Sequence, residues 1–134
     1  MAYVFAQAQD IMRIEEQEYG SGNAIRFSAF TSCIGLIARH DNQVTGVHLV
    51  MFSNDDSPFD NNAANAAVNL LPPYTEVVVI GQANMWADNL PGPYNHLLGL
   101  LNNPIVIDVN DGTYGGRVAS GVFQTYQNGN YINV

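Results

Sequence analysis

The sequence predicts an α+β fold: a mixed, largely antiparallel sheet system with helices on one side. Three observations carry that expectation. Most of the chain reads as short apolar or alternating runs bounded by turn residues, the pattern of consecutive hairpins. Only two stretches have helical spacing. The two kinds of element meet in a single helix-strand-helix-strand passage rather than alternating throughout. At 134 residues, with no repeat and no low-complexity linker, the chain (1–134) reads as one domain.

The elements follow in order. Ala2–Gln9 alternates small and larger side chains, which suits a strand. Ile11–Glu18 is ambiguous between strand and helix, and Gly20-Ser21-Gly22-Asn23 reads as a turn. Ala24–Thr31 alternates again, with Ile25, Phe27, Ala29 and Thr31 on one face. Ile34–Arg39 and Val44–Phe52 read as a hairpin around His40-Asp41-Asn42-Gln43. Ser53–Asn62 is a polar loop, and Ala63–Leu71 an alanine-rich helix stopped by Pro72-Pro73. Glu76–Ile80 is a buried strand, Gly81–Pro91 a loop and Pro93–Leu101 the second helix. Ile105–Val109 is a strand that runs into the turn at Asn110-Asp111-Gly112. Arg117–Tyr126 and Tyr131–Val134 close the domain as a hairpin around Asn128-Gly129.

Composition excludes several functions. Four arginines, no lysine and twelve acidic residues give a net charge of −8. Nucleic-acid binding by counterion release needs a basic patch, so no nucleic-acid partner is expected. Anionic lipid would repel the chain, and the longest apolar runs, such as Val77–Ile80, are too short to span a bilayer, so no membrane insertion is expected. Met1–Asp10 lacks the cationic start and apolar run of a signal peptide. The expected location is the cytoplasm, or a target cell reached by a route independent of a signal peptide. Cys33 is the sole cysteine, so neither an intramolecular disulfide nor a cysteine-rich zinc site is expected.

Cys33 and His48 are the chemical candidates. They sit at similar depth on the two arms of the expected hairpin, so their side chains have a route to contact. The thiolate is the nucleophile, and an adjacent imidazole either pairs with it or takes its proton during attack. Ser28, Thr31 and Ser32 supply nearby hydroxyls, and backbone N–H groups near Cys33 would form an oxyanion hole. The alternative reading makes Cys33 a small core hydrophobe and His48 a structural residue.

Thr31-Ser32-Cys33-Ile34-Gly35-Leu36 resembles the Gly-Ser-Cys signature of the CheD chemoreceptor glutamine deamidases, and Gly46-Val47-His48-Leu49 resembles their glycine-preceded catalytic histidine. The likeness runs colinearly through Val78–Met85, Asn95–Val106, Asp108–Val118 and Asn128–Val134. It implies an α-β-β sandwich carrying a papain-like Cys-His pair that needs no cofactor and no metal. A wider likeness, through the Ser-Cys and His constellation, is to the cytotoxic necrotizing factors. On this resemblance the catalytic set is Cys33, His48, Thr31, Ser32 and Ser28, with Asn84 and Gln82 touching substrate. The family's histidine-orienting Thr is replaced by Phe27, its Gly before Ser-Cys by Thr31, and a later Gly by Gln82. Ser28, Thr31 or a backbone carbonyl would then orient His48. The implied reaction converts a protein glutamine to glutamate. The partner is a protein presenting that glutamine, either a chemoreceptor or a host or rival regulatory protein, with a regulatory partner protein also possible. A non-catalytic protein-binding module on the same fold is the alternative.

Overall fold

The structure, a computed structural model, describes residues 3–134; Met1 and Ala2 lie outside the described residues. Two sheets and three helices make up the chain. The larger sheet runs β1(Ala6–Gln7), β2(Glu18–Gly22), β5(Gln43–Leu49), β4(Ile34–His40), β6(Glu76–Gly81), β7(Ile105–Asp108). The smaller runs β10(Asn130–Asn133), β9(Val122–Gln127), β8(Tyr114–Ala119), β3(Ala24–Arg26). The helices are α1(Asn61–Asn69), α2(Ala83–Asn89) and α3(Pro91–Leu100). Among the strands of the described residues, only β1 with β2 and β6 with β7 pair in parallel.

Ile34, Leu36, Ile37, Ala38 and Val77 through Ile80 are all fully buried. Strands buried on both faces need a layer on each side. One face packs on the smaller sheet. A Cβ on Gly35 would lie 2.6 Å from Phe27 Cε2, one on Gly46 would collide with Ile25, and one on Gly116 would lie 3.0 Å from Ile37 Cγ2. The alternate side chains, Leu36 and Ala38 among them, point the other way. That face is left for the helices, which bury Ala64, Ala67, Trp86 and Leu97. Helix, large sheet and small sheet thus form three layers.

Local chemistry sets the boundaries. The Asp60 carboxylate caps α1 by accepting from Ala63 N–H at 2.8 Å. Pro91 opens α3, where a missing N–H costs nothing. Ser120-Gly121 and Asn128-Gly129 have positive φ at both residues, the geometry of two-residue hairpin turns.

Several expectations need correction. A third helix, α2, occupies most of the stretch read as loop, and Trp86 lies buried in it. The strand read over Ala2–Gln9 begins outside the described residues and shrinks to β1. The Gly20–Asn23 turn is mostly strand β2: its glycines are bare because Ile11 packs on them, with Cγ2 3.0 Å from a Cβ at Gly20. Gly112-Thr113-Tyr114-Gly115-Gly116, which also reads as a tight turn, enters strand β8 at Tyr114, and a Cβ on Gly115 would strike the Ile25 carbonyl. The strand from Ala24 stops at Arg26, with a single bridge from Phe27 to Ile14. Arg117–Tyr126 is two strands, broken at Ser120-Gly121.

Gly46→Ala forces a methyl between Ile25 and the Phe27 ring. It is expected to lower the unfolding free energy by about 1–3 kcal/mol in urea titration. Gly99→Ala in α3, where a Cβ meets nothing within 4 Å, is expected to be neutral or to stabilise by up to about 1 kcal/mol.

Candidate active site

Cys33 ends a turn that is held on every side. Ser32 sits at φ +63°, in the left-handed region. Its N–H donates to Asp111 Oδ1 at 2.8 Å, and its carbonyl accepts from Trp86 Nε1 at 2.9 Å. The Cys33 carbonyl accepts from Gln82 N–H at 3.2 Å, extending the β4·β6 ladder by one residue. Gly81 at φ +138° makes this approach possible, because any Cβ there would strike the same carbonyl. The cysteine backbone is therefore fixed before its side chain does anything.

His48 is the direct cross-strand partner of Gly35. Cys33 lies two residues from Gly35, so the pleat returns it to the same side, and the two are diagonal neighbours about 7–8 Å apart along the backbone. The segment 10–17 runs beside both: the Ile14 carbonyl meets His48 and the Glu16 side chain reaches Cys33. No hydrogen bond joins the two side chains. The thiol donates to the Thr31 carbonyl at 3.4 Å and reaches Glu16 Oε2 at 3.9 Å.

His48 Nδ1 lies 2.9 Å from the Ile14 carbonyl. A carbonyl only accepts, so Nδ1 carries the proton of the neutral ring and Nε2 keeps its lone pair. Nε2 is buried and has no hydrogen-bond partner among the described residues. A buried acceptor without a donor is costly, and native structures hold few of them. Phe27 meets the ring edge-on at 5.6 Å and 67°, and Phe30 packs at 4.8 Å. Phe27 thus dries the imidazole rather than orienting it.

Burial decides both protonation states. It pushes the His48 imidazole down to about 4, against the opposing pull of the Ile14 carbonyl and Glu15. It pushes the Cys33 thiol up to about 11, helped by the Glu16 and Asp111 carboxylates. The resting pair is a thiol beside a neutral imidazole, not a thiolate–imidazolium pair.

The other expected site residues have different roles. Ser28 contributes its backbone N–H, which donates to the same Ile14 carbonyl at 2.9 Å; the Ser28 hydroxyl does not hold His48. Thr31 contributes its carbonyl to the thiol. The Ser32 N–H is taken by Asp111 and so is not a free oxyanion donor. Asn84 closes α2 onto the Asp108 carboxylate at 2.9 and 3.1 Å, and Gln82 Nε2 donates to Asp111 at 3.1 Å. Both amides brace the cysteine turn and its neighbouring loop. Residues missed from sequence are Ile14 and Glu16. Ile14 acts through a carbonyl that every residue has, and Glu16 lies in the stretch with no clear periodicity. Glu16 also lines a surface concavity of about 510 Å³ with Arg13, Glu15, Ser28, Ala29 and Asn54. Among the described residues, no three His, Cys, Asp or Glu are grouped to hold a metal ion, and no helix is long and apolar enough to cross a membrane.

Compared with known proteins, the chain matches no family model, and no curated protein aligns with it significantly.

Two pH effects follow. The unfolded chain takes up the His48 proton near 6.5, the folded chain only near 4. Between those values the unfolded state holds more protons, so stability falls as pH drops through this window, by about 3 kcal/mol in all. Urea titrations from pH 7 to pH 4 are expected to show this slope in the native protein and to lose this part of it in His48→Gln. Iodoacetamide labelling of Cys33 is expected to be slow at pH 7 and to rise toward a midpoint near 11, well above the ~8.5 of a free thiol.

Proposed function

We propose that this chain is a cysteine-dependent amide hydrolase that deamidates glutamine side chains of a protein partner. The observation that carries the reading is the fixed tautomer of His48. Its Nδ1–H is tied to a backbone carbonyl, its buried Nε2 is bare, and its residue sits diagonally across the hairpin from Cys33. That is the arrangement a general base needs.

In the proposed reaction His48 Nε2 accepts the thiol proton as sulfur attacks the amide carbon. The Cys33 N–H would face the developing oxyanion. Collapse breaks the C–N bond, and the imidazolium gives its proton to the departing amine, which leaves as ammonia. Water then attacks the thioester, with His48 again taking a proton, and returns the thiol and a glutamate side chain. One water is consumed and one ammonia released, with no change of oxidation state. Because thiol and imidazole rest neutral, proton transfer is unfavourable until substrate is bound. Docking of a partner would have to reshape the mouth of the site, since Cys33 is fully buried. Each turnover adds one negative charge to the partner, which suits a switch on a chemoreceptor or on a regulatory protein of another cell.

A non-catalytic binding module is favoured by one observation: the thiol is occluded and bonded to Thr31 and Glu16 rather than to His48. The two readings separate in one assay. A panel of glutamine-bearing proteins is incubated with the chain and followed by ammonia release and mass-spectrometric Gln-to-Glu conversion. The deamidase reading expects conversion that falls by about 10³-fold or more in both Cys33→Ala and His48→Ala. Conversion that survives Cys33→Ala, or no conversion of any partner the protein binds, would favour the binding module.

A further inference from the structure

Glu16 has a role that the proposed chemistry does not use. Its carboxylate is exposed, and among the described residues it forms no ion pair; its side-chain contact is the Cys33 thiol at 3.9 Å. The neighbouring cation, Arg13, pairs with Glu15 at 3.2 Å instead. Glu16 therefore stands between the buried sulfur and the open concavity of about 510 Å³ whose wall it forms. The other acidic group near the sulfur is Asp111, which is already engaged by Ser32 N–H and Gln82 Nε2.

A carboxylate at this position opposes attack. As sulfur loses its proton, two negative charges would lie about 4 Å apart, partly shielded from water. A cation entering the concavity reverses the sign. It would pair with Glu16, draw the carboxylate off the thiol and offset the charge that develops on sulfur. The concavity has room for a long side chain, and its one arginine is already paired with Glu15. A chain of net charge −8 with no lysine supplies no obvious competitor for that position and favours encounter with a basic surface.

We propose that Glu16 is an electrostatic latch on Cys33, released when a lysine or arginine of the substrate protein, close to the target glutamine, enters the concavity. This rests on the deamidase reading for its meaning, but the latch has a readout of its own. Glu16 is a positioning and specificity residue; it does not touch the reacting amide.

The test uses Cys33 as its own reporter, since it is the sole thiol of the chain. Methanethiosulfonate reagents of opposite charge, trimethylammonium-ethyl and sulfonato-ethyl, are compared with the neutral methyl reagent at pH 7.5, each rate being divided by that reagent's rate with a small free thiol. Native protein, Glu16→Gln and Glu15→Gln are measured, with the fold checked by circular dichroism. The native protein is expected to react at least about tenfold faster with the cationic than with the anionic reagent. Glu16→Gln is expected to bring that ratio to within about threefold of unity and to speed the neutral reagent several-fold, whereas Glu15→Gln is expected to keep most of the preference. No charge preference in the native protein, an unchanged preference in Glu16→Gln, or no reaction in either protein would overturn the latch. His48→Ala separates the two readings. If it leaves the neutral rate unchanged while Glu16→Gln abolishes the preference, the latch stands and the Cys-His pair fails. If His48→Ala slows the neutral reagent but Glu16→Gln changes nothing, the pair stands and the latch fails.

Discussion

The site depends on one carbonyl. Ile14 O accepts from His48 Nδ1 and from the Ser28 N–H, each at 2.9 Å, so both of its lone pairs are used in a dry place. The segment that presents it is stitched to the rest of the fold on two sides. Arg26 N–H donates to Ile11 O and Ile14 N–H to Arg26 O, which tie it to β3. Gln17 N–H donates to His48 O, which ties it to β5. Displacing Ile14 would leave the buried Nδ1–H of His48 and the Ser28 N–H without their acceptor, a loss of about 1–3 kcal/mol for the buried one. The loop is irregular in shape but not free to move without that loss.

From this contact the competing demands of the site follow. Gly35 and Gly46 leave room for the Phe27 ring against the large sheet, and Phe27 and Phe30 then enclose His48. Dryness keeps the imidazole neutral and its tautomer fixed, which a general base requires. The same dryness holds the thiol protonated. Desolvation outweighs the favourable local contacts at both groups, so the resting site stores no ion pair. The charge separation that chemistry needs must come with the partner. A shallow concavity walled by Glu16 is where that help would arrive.

Much of this was legible in the sequence, for identifiable reasons. The β4–β5 hairpin has a polar two-residue turn between apolar arms, and its register follows from that turn, which sets His48 diagonally across from Cys33 without a hydrogen bond between them. The buried strand Val77–Ile80 and the Pro72-Pro73 stop were equally plain. Glycine misled where it answers packing rather than turning: Gly20 and Gly22 yield to Ile11, and Gly115 to the Ile25 carbonyl. Helix α2 is seven residues without a side-chain cap, too short to show a period. The orienting group for His48 was open among two hydroxyls and a backbone carbonyl. It is the carbonyl, and a carbonyl leaves no trace in residue type. The hydroxyls of Ser28 and Thr31 drew attention by their chemistry, yet it is their backbones that serve.

The measurement closest to the central claim is the tautomer of His48, read from long-range ¹⁵N–¹H correlations near pH 7. The hydrogen bond to Ile14 predicts a neutral ring with the proton on Nδ1 and a bare Nε2. A ring protonated on Nε2, or an imidazolium paired with a Cys33 thiolate, would contradict it.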